Sequence, residues 1–372
     1  MKIIISPDSF KGTLTSGEVT TVIKEAIKRV DSNIETICLP IADGGEGTLD
    51  ALVKATKGKY LTATVQNPLG KLIEAKYGVL GDGITCVIEM AQASGLTLID
   101  EKEKNPRFAT TYGTGQLIQH AMESGYRHFI IGIGGSATND GGQGMLRALG
   151  MKFIGKDGKE ILNDVFQFKE LEKIDLSSFD TRISESTFMI ACDVDNPLIG
   201  SNGATSVFGP QKGVKPSDIN IFDQNLKHYI TIIESQQNVT VRHCAGAGAA
   251  GGIGSAFMAF FPHQFKPGVD IVLEAVQFSN HLEYADYVIT GEGKSDEQTL
   301  SGKAPIGVAK LAQEQGVPTI LLSGMVENSH ILKTYFHQVE SIVSEEISVE
   351  QSLNNPSFYL NQKVMDLIKR LL

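Results

Sequence analysis

Residues 132–144 read GIGGSATNDGGQG, a run of small and polar side chains between two apolar segments. The preceding Phe129-Ile130-Ile131 predicts a buried strand, and residues 144–150, which end in Gly150, predict a short helix closed by a glycine cap. Such a loop lets a ligand approach the backbone closely, and free N–H groups at a helix start attract anions such as phosphate. A single loop of this kind is also typical of a tight surface turn. Its meaning therefore depends on whether the pattern recurs along the chain.

Polar loops follow apolar, strand-like segments at four other places, residues 7–12, 42–48, 193–196 and 291–296. In an open parallel sheet, ligands bind outside the C-terminal ends of the strands. These loops together supply backbone donors, carboxylates and a few lysines. Phosphoryl transfer needs that combination, because its catalysis is mainly positioning and neutralisation of negative charge. The recurrence favours a phosphate-handling enzyme over a structural protein.

The order of the elements predicts an α/β fold with two domains. Residues 2–58 alternate strand, helix, strand, helix, and a capping box at Thr15–Glu18 marks the first helix. Short strands between residues 60 and 90, with an Asp82-Gly83 turn, follow an antiparallel pattern. The parallel pattern resumes near residue 287. We therefore expect a Rossmann-like parallel-sheet domain formed by both chain ends, residues 1–63 and 285–372, with a second α/β domain, residues 64–284, inserted. Residues 108–150 would also fit the outer sheet.

Composition excludes several classes of protein. The chain has 372 residues, 41% of them apolar, and a net charge of −10, which argues against nucleic acid and anionic membranes as partners. Its four cysteines form no CxxC pair, so a reducing compartment is expected. The polar residues that soon follow the N-terminal MKIII exclude a signal peptide, and no long apolar stretch suits a membrane span. These features predict a cytoplasmic location.

Standard nucleotide motifs are absent or misplaced. Residues 293–295 read GKS, but the first glycine of a Walker A loop would fall on Val288. A GxGxxG pattern occurs at residues 246–251, far from the opening βαβ unit where a dinucleotide fingerprint belongs. No spaced histidine cluster indicates a metal, and no GxSxG indicates a serine hydrolase. Ordinary explanations stay open for several polar residues: Asp43 and Glu46 could cap a helix, Lys11 and Lys303 could be surface charges, and residues 193–197 could form an Asx-turn.

Nine stretches, in this order, carry a resemblance to a known family. They are SPDSFKGTL (6–14), ADGGEGT (42–48), TTYGTGQLI (110–118), GGSATNDGG (134–142), CDVDNPL (192–198), FGPQKG (208–213), GAGAAGG (246–252), ITGEGKSDEQT (289–299) and GKAP (302–305). Together the stretches resemble the type-I glycerate kinase family. The resemblance implies an ATP-dependent kinase that uses Mg²⁺ to phosphorylate D-glycerate, usually to 2-phosphoglycerate, with the active site in an interdomain cleft. Its alternatives are a kinase for another small hydroxy acid, a 3-phosphoglycerate-forming enzyme and a non-catalytic ligand sensor, and a homodimer stays open.

Candidate roles follow from these matched stretches. Asp193 is the candidate general base, because it ends a strand beside Asn196, and Lys11 and Asp8 complete the predicted catalytic set. Asp296 is the candidate metal ligand. The predicted contacts to substrate and phosphate are Ser9, Asp43, Gly44, Gly45, Glu46, Gly134, Gly135, Ser136, Asn139, Asp140, Asn196, Gly291, Glu292, Gly293 and Lys303.

Overall fold

The computed structural model describes the backbone of all 372 residues and every side chain except that of Ser301. The chain divides into two compact units: the first comprises Met1–Gly58 and Pro267–Leu372, and the second comprises Lys59–Lys266. The sequence pattern placed these divisions at 63/64 and 284/285. The second division lies earlier because residues 268–282 form helices that pack against helices of the first unit.

The elements are numbered in chain order. The strands are β1 (Lys2–Ile5), β2 (Glu35–Cys38), β3 (Lys59–Gln66), β4 (Leu72–Val79), β5 (Thr85–Glu89), β6 (His128–Gly132), β7 (Lys152–Gly155), β8 (Leu171–Asp175), β9 (Thr187–Ala191), β10 (His263–Lys266), β11 (Tyr287–Thr290), β12 (Lys294–Ser295), β13 (Thr319–Ser323), β14 (Met325–Val326) and β15 (Gln338–Ser341). The α-helices are α1 (Ser16–Val30), α2 (Thr48–Ala55), α3 (Ala91–Ser94), α4 (Tyr112–Glu123), α5 (Gln143–Ala148), α6 (Ala204–Phe208), α7 (Ile219–Gln237), α8 (Ala249–Phe260), α9 (Gly268–Ala275), α10 (Phe278–Leu282), α11 (Ala304–Glu314), α12 (Ser329–Leu332), α13 (Val349–Asn354) and α14 (Pro356–Leu371).

The first unit is built on a five-stranded parallel sheet with the order β15-β13-β11-β1-β2. Its central strands are apolar on both faces: Ile3, Ile4 and Ile5 of β1 are all buried. Uninterrupted apolar strands are what a parallel sheet needs when helices cover both of its faces. The predicted capping box is confirmed, because Thr15 and Glu18 exchange side-chain and backbone hydrogen bonds at the start of α1. This unit has the expected Rossmann-like character.

The second unit is built on a six-stranded mixed sheet with the order β10-β9-β6-β5-β4-β3. Strands β3, β4 and β5 pair antiparallel, as the Asp82-Gly83 turn predicts, whereas β5, β6, β9 and β10 pair in parallel. Strand β6 lies between β5 and β9, so the αβα segment at 108–150 belongs to this unit and not to the outer sheet. A small antiparallel pair, β7 and β8, forms a separate two-stranded sheet in this unit.

Each unit has its own apolar core. In the first unit, β1, α1 and α14 contribute to one cluster that contains Ile23, Ile27 and Leu367. The larger cluster of the second unit includes Phe129, Phe188 and Phe257. Among the residues that the structure describes, no helix combines the length and the apolarity needed to cross a bilayer.

Candidate functional site

Three polar loops of the first unit meet at one edge of its sheet. Strands β1, β2 and β11 are parallel and in register, with Ile5 opposite both Cys38 and Ile289, so the loops that follow them start side by side. The N–H of Asp8 donates to the carbonyl oxygen of Gly291 over 2.8 Å, which ties the first loop to the third. The predicted site residues of this unit therefore lie in these three loops or beside them. They are Asp8, Ser9, Lys11, Asp43, Gly44, Gly45, Glu46, Gly291, Glu292, Gly293, Asp296 and Lys303.

Asp8 is the buried carboxyl of this edge, only 5% exposed. Its Oδ1 accepts a hydrogen bond of 2.6 Å from the backbone N–H of Ser9. Burial, and after it the charges of Asp43 and Glu292, raise the pKa of Asp8 from 3.8 to about 7, against the opposing effects of the Ser9 N–H and Lys11. A carboxyl with this pKa can accept a proton near neutral pH.

Lys11 is the exposed cation of the same edge, with 74% of its side chain accessible. Its Nζ lies 3.1 Å from Oδ2 of Asp43, and this carboxylate, together with Asp8 and Glu292, raises the pKa of Lys11 in opposition to partial burial. Asp43 Oδ1 accepts from the N–H of Gly45 over 3.1 Å. Helix α2 is capped instead by Gly47, which makes no side-chain cap bond, so the explanation of Asp43 and Glu46 as a helix cap is wrong.

Glu292 anchors the third loop. Its Oε1 accepts hydrogen bonds from the hydroxyls of Ser295 (3.0 Å) and Thr299 (2.6 Å). Its Oε2 pairs with Nζ of Lys303 at 3.1 Å, and Lys303 also lies 3.9 Å from Asp296. A carboxylate that two hydroxyl groups hold in place thus pairs with Lys303, only one third of whose side chain is exposed. Lys303 is not a freely solvated surface charge.

A cavity of about 390 Å³ opens beside these residues, entirely within the first unit. Its charged end is formed by Asp8, Lys11, Glu292 and Lys303. The rest of the lining is mostly apolar and is called the apolar end below. Sequence reasoning missed it, because its side chains come from β14, the residues after β15, α13 and the start of α14. The apolar residues from these segments are Met325, Val343, Val349, Leu353 and Pro356.

The second unit has a comparable edge at the ends of β6 and β9, where Gly132 lies opposite Ala191. Asp140, in the loop after β6, is completely buried among its own donors. Its Oδ2 accepts from the N–H and the hydroxyl of Thr111 (2.8 Å each) and from the N–H of Gly144 (3.1 Å), and its Oδ1 accepts from the N–H of Gly142 (3.1 Å). Burial still raises the pKa of Asp140 against these hydrogen bonds. Asp140 therefore holds the loop to α4 and α5.

Lys212 is a residue that sequence reasoning missed. Its side chain is buried, and its Nζ donates to Oγ of Ser136 and to the carbonyl oxygen of Thr138, both at 2.7 Å. Burial lowers the pKa of Lys212 to about 7, although the charge of Asp140 acts in the opposite direction. In the sequence, the only feature that could have marked Lys212 as a site residue was its place between two glycines in residues 208–213. Asn139 donates to Oγ1 of Thr205 over 2.9 Å, while its own Oδ1 is buried without a hydrogen-bond partner among the described residues.

The remaining predicted residues of the second unit lie along the same edge. Gly134 and Gly135 begin the loop that contains Ser136, Asn139 and Asp140. Asp193 is exposed, two residues after the end of β9. The backbone carbonyl of Asn196 accepts from the N–H of Gly248 over 2.9 Å. The residues after Gly248 link the two loops, because the carbonyl oxygen of Gly251 accepts from the N–H of Gly141 over 2.9 Å.

Among the described residues, no three or more His, Cys, Asp or Glu side chains are grouped so that they could hold a metal ion. Asp296, the predicted metal ligand, caps a 3₁₀ helix (Glu297–Ser301), and its Oδ1 accepts from the N–H of Gln298 over 2.9 Å. Mg²⁺ is usually held by one or two carboxylates together with substrate phosphates and water. A single carboxylate in this position fits that pattern when phosphate supplies the other oxygens.

Comparisons with known proteins agree along the whole chain. The profile of the Glycerate kinase family matches residues 3–372. A protein named glycerate kinase from Bacillus subtilis (strain 168) is 44% identical over 370 residues, 99% of this chain and 97% of the relative. A protein named glycerate 2-kinase from Escherichia coli (strain K12) is 43% identical over 92% of this chain and 90% of the relative. The crystal structure of a protein assigned as glycerate kinase 2 from Salmonella typhimurium LT2 superposes with a TM-score of 0.90 at 41% identity, covering all of this chain and 98% of that one.

Proposed function

The chain belongs to the glycerate kinase family and is an enzyme that phosphorylates an alcohol, and from that premise we propose that it transfers the γ-phosphoryl group of ATP to D-glycerate. We propose 2-phosphoglycerate and ADP as the products, since one relative is named glycerate 2-kinase. The observation that carries the proposal is the charged end of the cavity. There a buried carboxyl with a pKa of about 7, Asp8, lies beside the cations Lys11 and Lys303.

In the proposed reaction, Asp8 accepts the proton of the substrate hydroxyl as that oxygen bonds to the γ-phosphorus. The bond between the γ-phosphorus and the bridging oxygen breaks, and ADP leaves with that oxygen. Lys11 and Lys303 neutralise the negative charge of the transferring phosphoryl group, the main electrostatic task in such reactions. Glu292 keeps Lys303 in place for this role through the ion pair of 3.1 Å.

We propose that Asp296 helps to hold Mg²⁺ through its carboxylate, with phosphate oxygens and water as the other ligands. When bound, Mg²⁺ supplies further neutralisation of charge on the phosphates. The predicted substrate and phosphate contacts at Gly134, Gly135, Ser136 and Asn139 stay predictions. For Asp140 we propose a positioning role, since the N–H and hydroxyl groups of its own unit surround its carboxylate.

The direct test is an ADP-release assay with ATP, Mg²⁺ and D-glycerate, followed by phosphorus NMR of the product. We expect turnover and the signal of 2-phosphoglycerate. A 3-phosphoglycerate signal would leave the reaction intact and correct the position. Release of ADP only with another hydroxy acid would show that this acid, and not D-glycerate, is the substrate. Nucleotide binding without turnover on any acid would favour a non-catalytic ligand sensor.

The identity of the base is tested by comparing Asp8→Asn with Asp193→Asn. Our proposal moves this role from Asp193 to Asp8, since Asp8 is the carboxyl that burial prepares for proton transfer near pH 7. We expect Asp8→Asn to lower kcat by about 10²- to 10⁴-fold, the usual contribution of a general base, and Asp193→Asn to lower it far less. The reverse order would return the role to Asp193.

A cytoplasmic location and a homodimer also stay predictions. Sedimentation of the purified chain would test the dimer, and fractionation of the cells that produce it would test the location.

A further inference from the structure

The apolar end of the cavity has no use in the chemistry described so far. D-glycerate has three carbons, each bearing an oxygen function, and offers no apolar face to bury. The charged end alone accounts for a hydroxyl, a phosphoryl group and a proton acceptor. Met325, Val343, Val349 and Leu353 therefore line a surface that the small substrate does not need.

Helix α13 presents two of these side chains to the cavity while they are still accessible to water. Val349 is 46% exposed and Leu353 is 56% exposed, and both line the cavity. They are four residues apart and so lie on one face of the helix. Neighbouring apolar side chains at the wall of a polar cavity are typical of a ligand-binding surface, since covering them removes apolar area from water.

The size and charge of the cavity indicate what covers this surface. Its volume of about 390 Å³ lies within the range of roughly 300–1,000 Å³ that is usual for small-molecule sites. Three lysines line it, Lys11, Lys294 and Lys303. Each is paired with a carboxylate, that of Asp43, Glu327 and Glu292 respectively, and of these three carboxylates only that of Glu292 lines the cavity. A ligand with a flat, largely apolar group at one end and several negative charges at the other complements both ends.

We propose that this cavity is the nucleotide site, with the purine base against Met325, Val343, Val349 and Leu353 and the phosphates toward Lys11 and Lys303. The first unit then binds ATP. This inference rests on the proposed function in that it takes ATP as the phosphoryl donor. It goes further because it names the unit that holds the nucleotide and the side chains that contact the base.

The test is calorimetric binding of ADP to the double variant Val349→Gln plus Leu353→Gln. Glutamine keeps the helix propensity and adds no charge, so the variant changes the apolar surface alone. The matched control is Phe358→Gln on α14, because Phe358 is also 56% exposed but does not line the cavity. Inorganic tripolyphosphate, which has no base, is the second probe.

We expect the double variant to weaken ADP binding by about tenfold or more, because it removes most of the apolar contact offered by α13. Binding of tripolyphosphate and the KM for D-glycerate should change less than about twofold. The Phe358→Gln control should bind ADP like the original protein. Thermal melting verifies that each variant is folded.

Unchanged ADP affinity in a folded double variant would overturn the inference, as would failure of the original protein to bind ADP. A rise in the KM for D-glycerate with unchanged ADP affinity would also overturn it, because the apolar end would then serve the acid substrate. Calorimetry measures ADP binding without turnover, so the proposed nucleotide site and the proposed reaction can fail separately. ADP binding that depends on α13 without turnover on D-glycerate would contradict the proposed function and leave the nucleotide site standing.

Discussion

The sheet edges of the two units follow similar sequence signatures but use their charged side chains differently. In the first unit, the loops after β1, β2 and β11 place Asp8, Lys11 and Lys303 on the wall of a cavity. In the second unit, the loop after β6 turns Asp140 inward, and Lys212 from another segment joins it in the interior. Loops of glycine, aspartate and hydroxyl residues after a strand can thus form either part of a cavity wall or a segment held by buried hydrogen bonds.

The contrast is sharpest between the two buried carboxyls. Among the described residues, Asp140 accepts four hydrogen bonds from its own unit, whereas Asp8 accepts one, from the N–H of Ser9. Asp8 also faces the carboxylates of Asp43 and Glu292, which raise its pKa further. Local arrangements that disfavour the folded state tend to persist where function needs them. This comparison supports our proposal that Asp8 takes part in the chemistry and that Asp140 maintains the geometry of its loop.

The largest expected effect comes from Asp8→Asn, which should lower turnover by about 10²- to 10⁴-fold and yet stabilise the protein above pH 7. The folded state holds the Asp8 proton up to about pH 7, whereas an unfolded chain releases it near 3.8. Folding therefore loses stability as the pH rises between these values, and the full cost of the buried charge is present above pH 7. Asparagine removes that cost, up to about 4 kcal/mol, and can still accept from the Ser9 N–H.

Thermal melts at pH 5 and pH 8 check this prediction. The gain in melting temperature over the original protein should be larger at pH 8 than at pH 5. A variant that is less stable at pH 8 would show that the carboxylate of Asp8 is favourably held, and the contrast with Asp140 would disappear.

The sequence was informative about the element order because periodicity and turn chemistry act locally. The capping box at Thr15–Glu18, the Asp82-Gly83 hairpin and the strand at residues 129–131 are all present as expected. Loops after parallel neighbouring strands must lie together, so the proximity of Asp8, Asp43 and Glu292 was also predictable. The family assignment rested on nine specific stretches and is confirmed by the comparisons.

Features that depend on contacts between residues far apart in the sequence could not be predicted. Lys212 reads as a polar loop residue, and only the tertiary fold shows its ammonium beside Ser136 and Thr138. The apolar end of the cavity needs Val343 and Leu353 to approach Lys11, which lies more than 330 positions away in sequence. The helices at 268–282 follow an ordinary amphipathic pattern that does not reveal which unit they join.

The second-largest effect is expected from Gly251→Ala. This substitution tests whether the loop after β6 in the second unit can shift to make room for a methyl group. Gly251 has a φ of +73°, and a methyl group there would overlap the carbonyl oxygen of Thr138, a backbone atom that cannot rotate away. Gly158 has a φ of +77° and open space around the same position, so Gly158→Ala is the matched control for backbone strain alone. We expect about 1–2 kcal/mol of destabilisation for the control and several kcal/mol for Gly251→Ala, measured by urea unfolding. Equal losses would mean that the loop has room to move.

Asp140→Asn should have a smaller effect on stability and little on chemistry. An amide group in place of the carboxylate directs N–H donors at some of the N–H and hydroxyl donors of Thr111, Gly142 and Gly144, which costs about 2–4 kcal/mol. We expect the folded variant to keep kcat within about tenfold, unlike Asp8→Asn. Steady-state kinetics below the melting transition measure this difference. A loss of kcat as large as that of Asp8→Asn would place Asp140 in the chemistry.

The smallest effect is expected from Lys212→Met, and it lies mainly in the pH dependence of stability. Burial lowers the pKa of Lys212 to about 7, whereas an unfolded lysine titrates near 10.5, so between these values the unfolded chain binds more protons. The free energy of unfolding that Lys212 contributes therefore rises with pH above 7, by on the order of 2 kcal/mol between pH 7 and 9.

Methionine at position 212 removes this titration. It also leaves the carbonyl oxygen of Thr138 and the hydroxyl of Ser136 without the donor that Lys212 supplies, a cost of about 1–3 kcal/mol. Destabilisation by Lys212→Met, measured by urea unfolding, should thus be larger at pH 9 than at pH 7. Equal destabilisation at both pH values would mean that Lys212 stays charged in the interior, so that an ammonium group and not a neutral amine donates to Ser136 and Thr138.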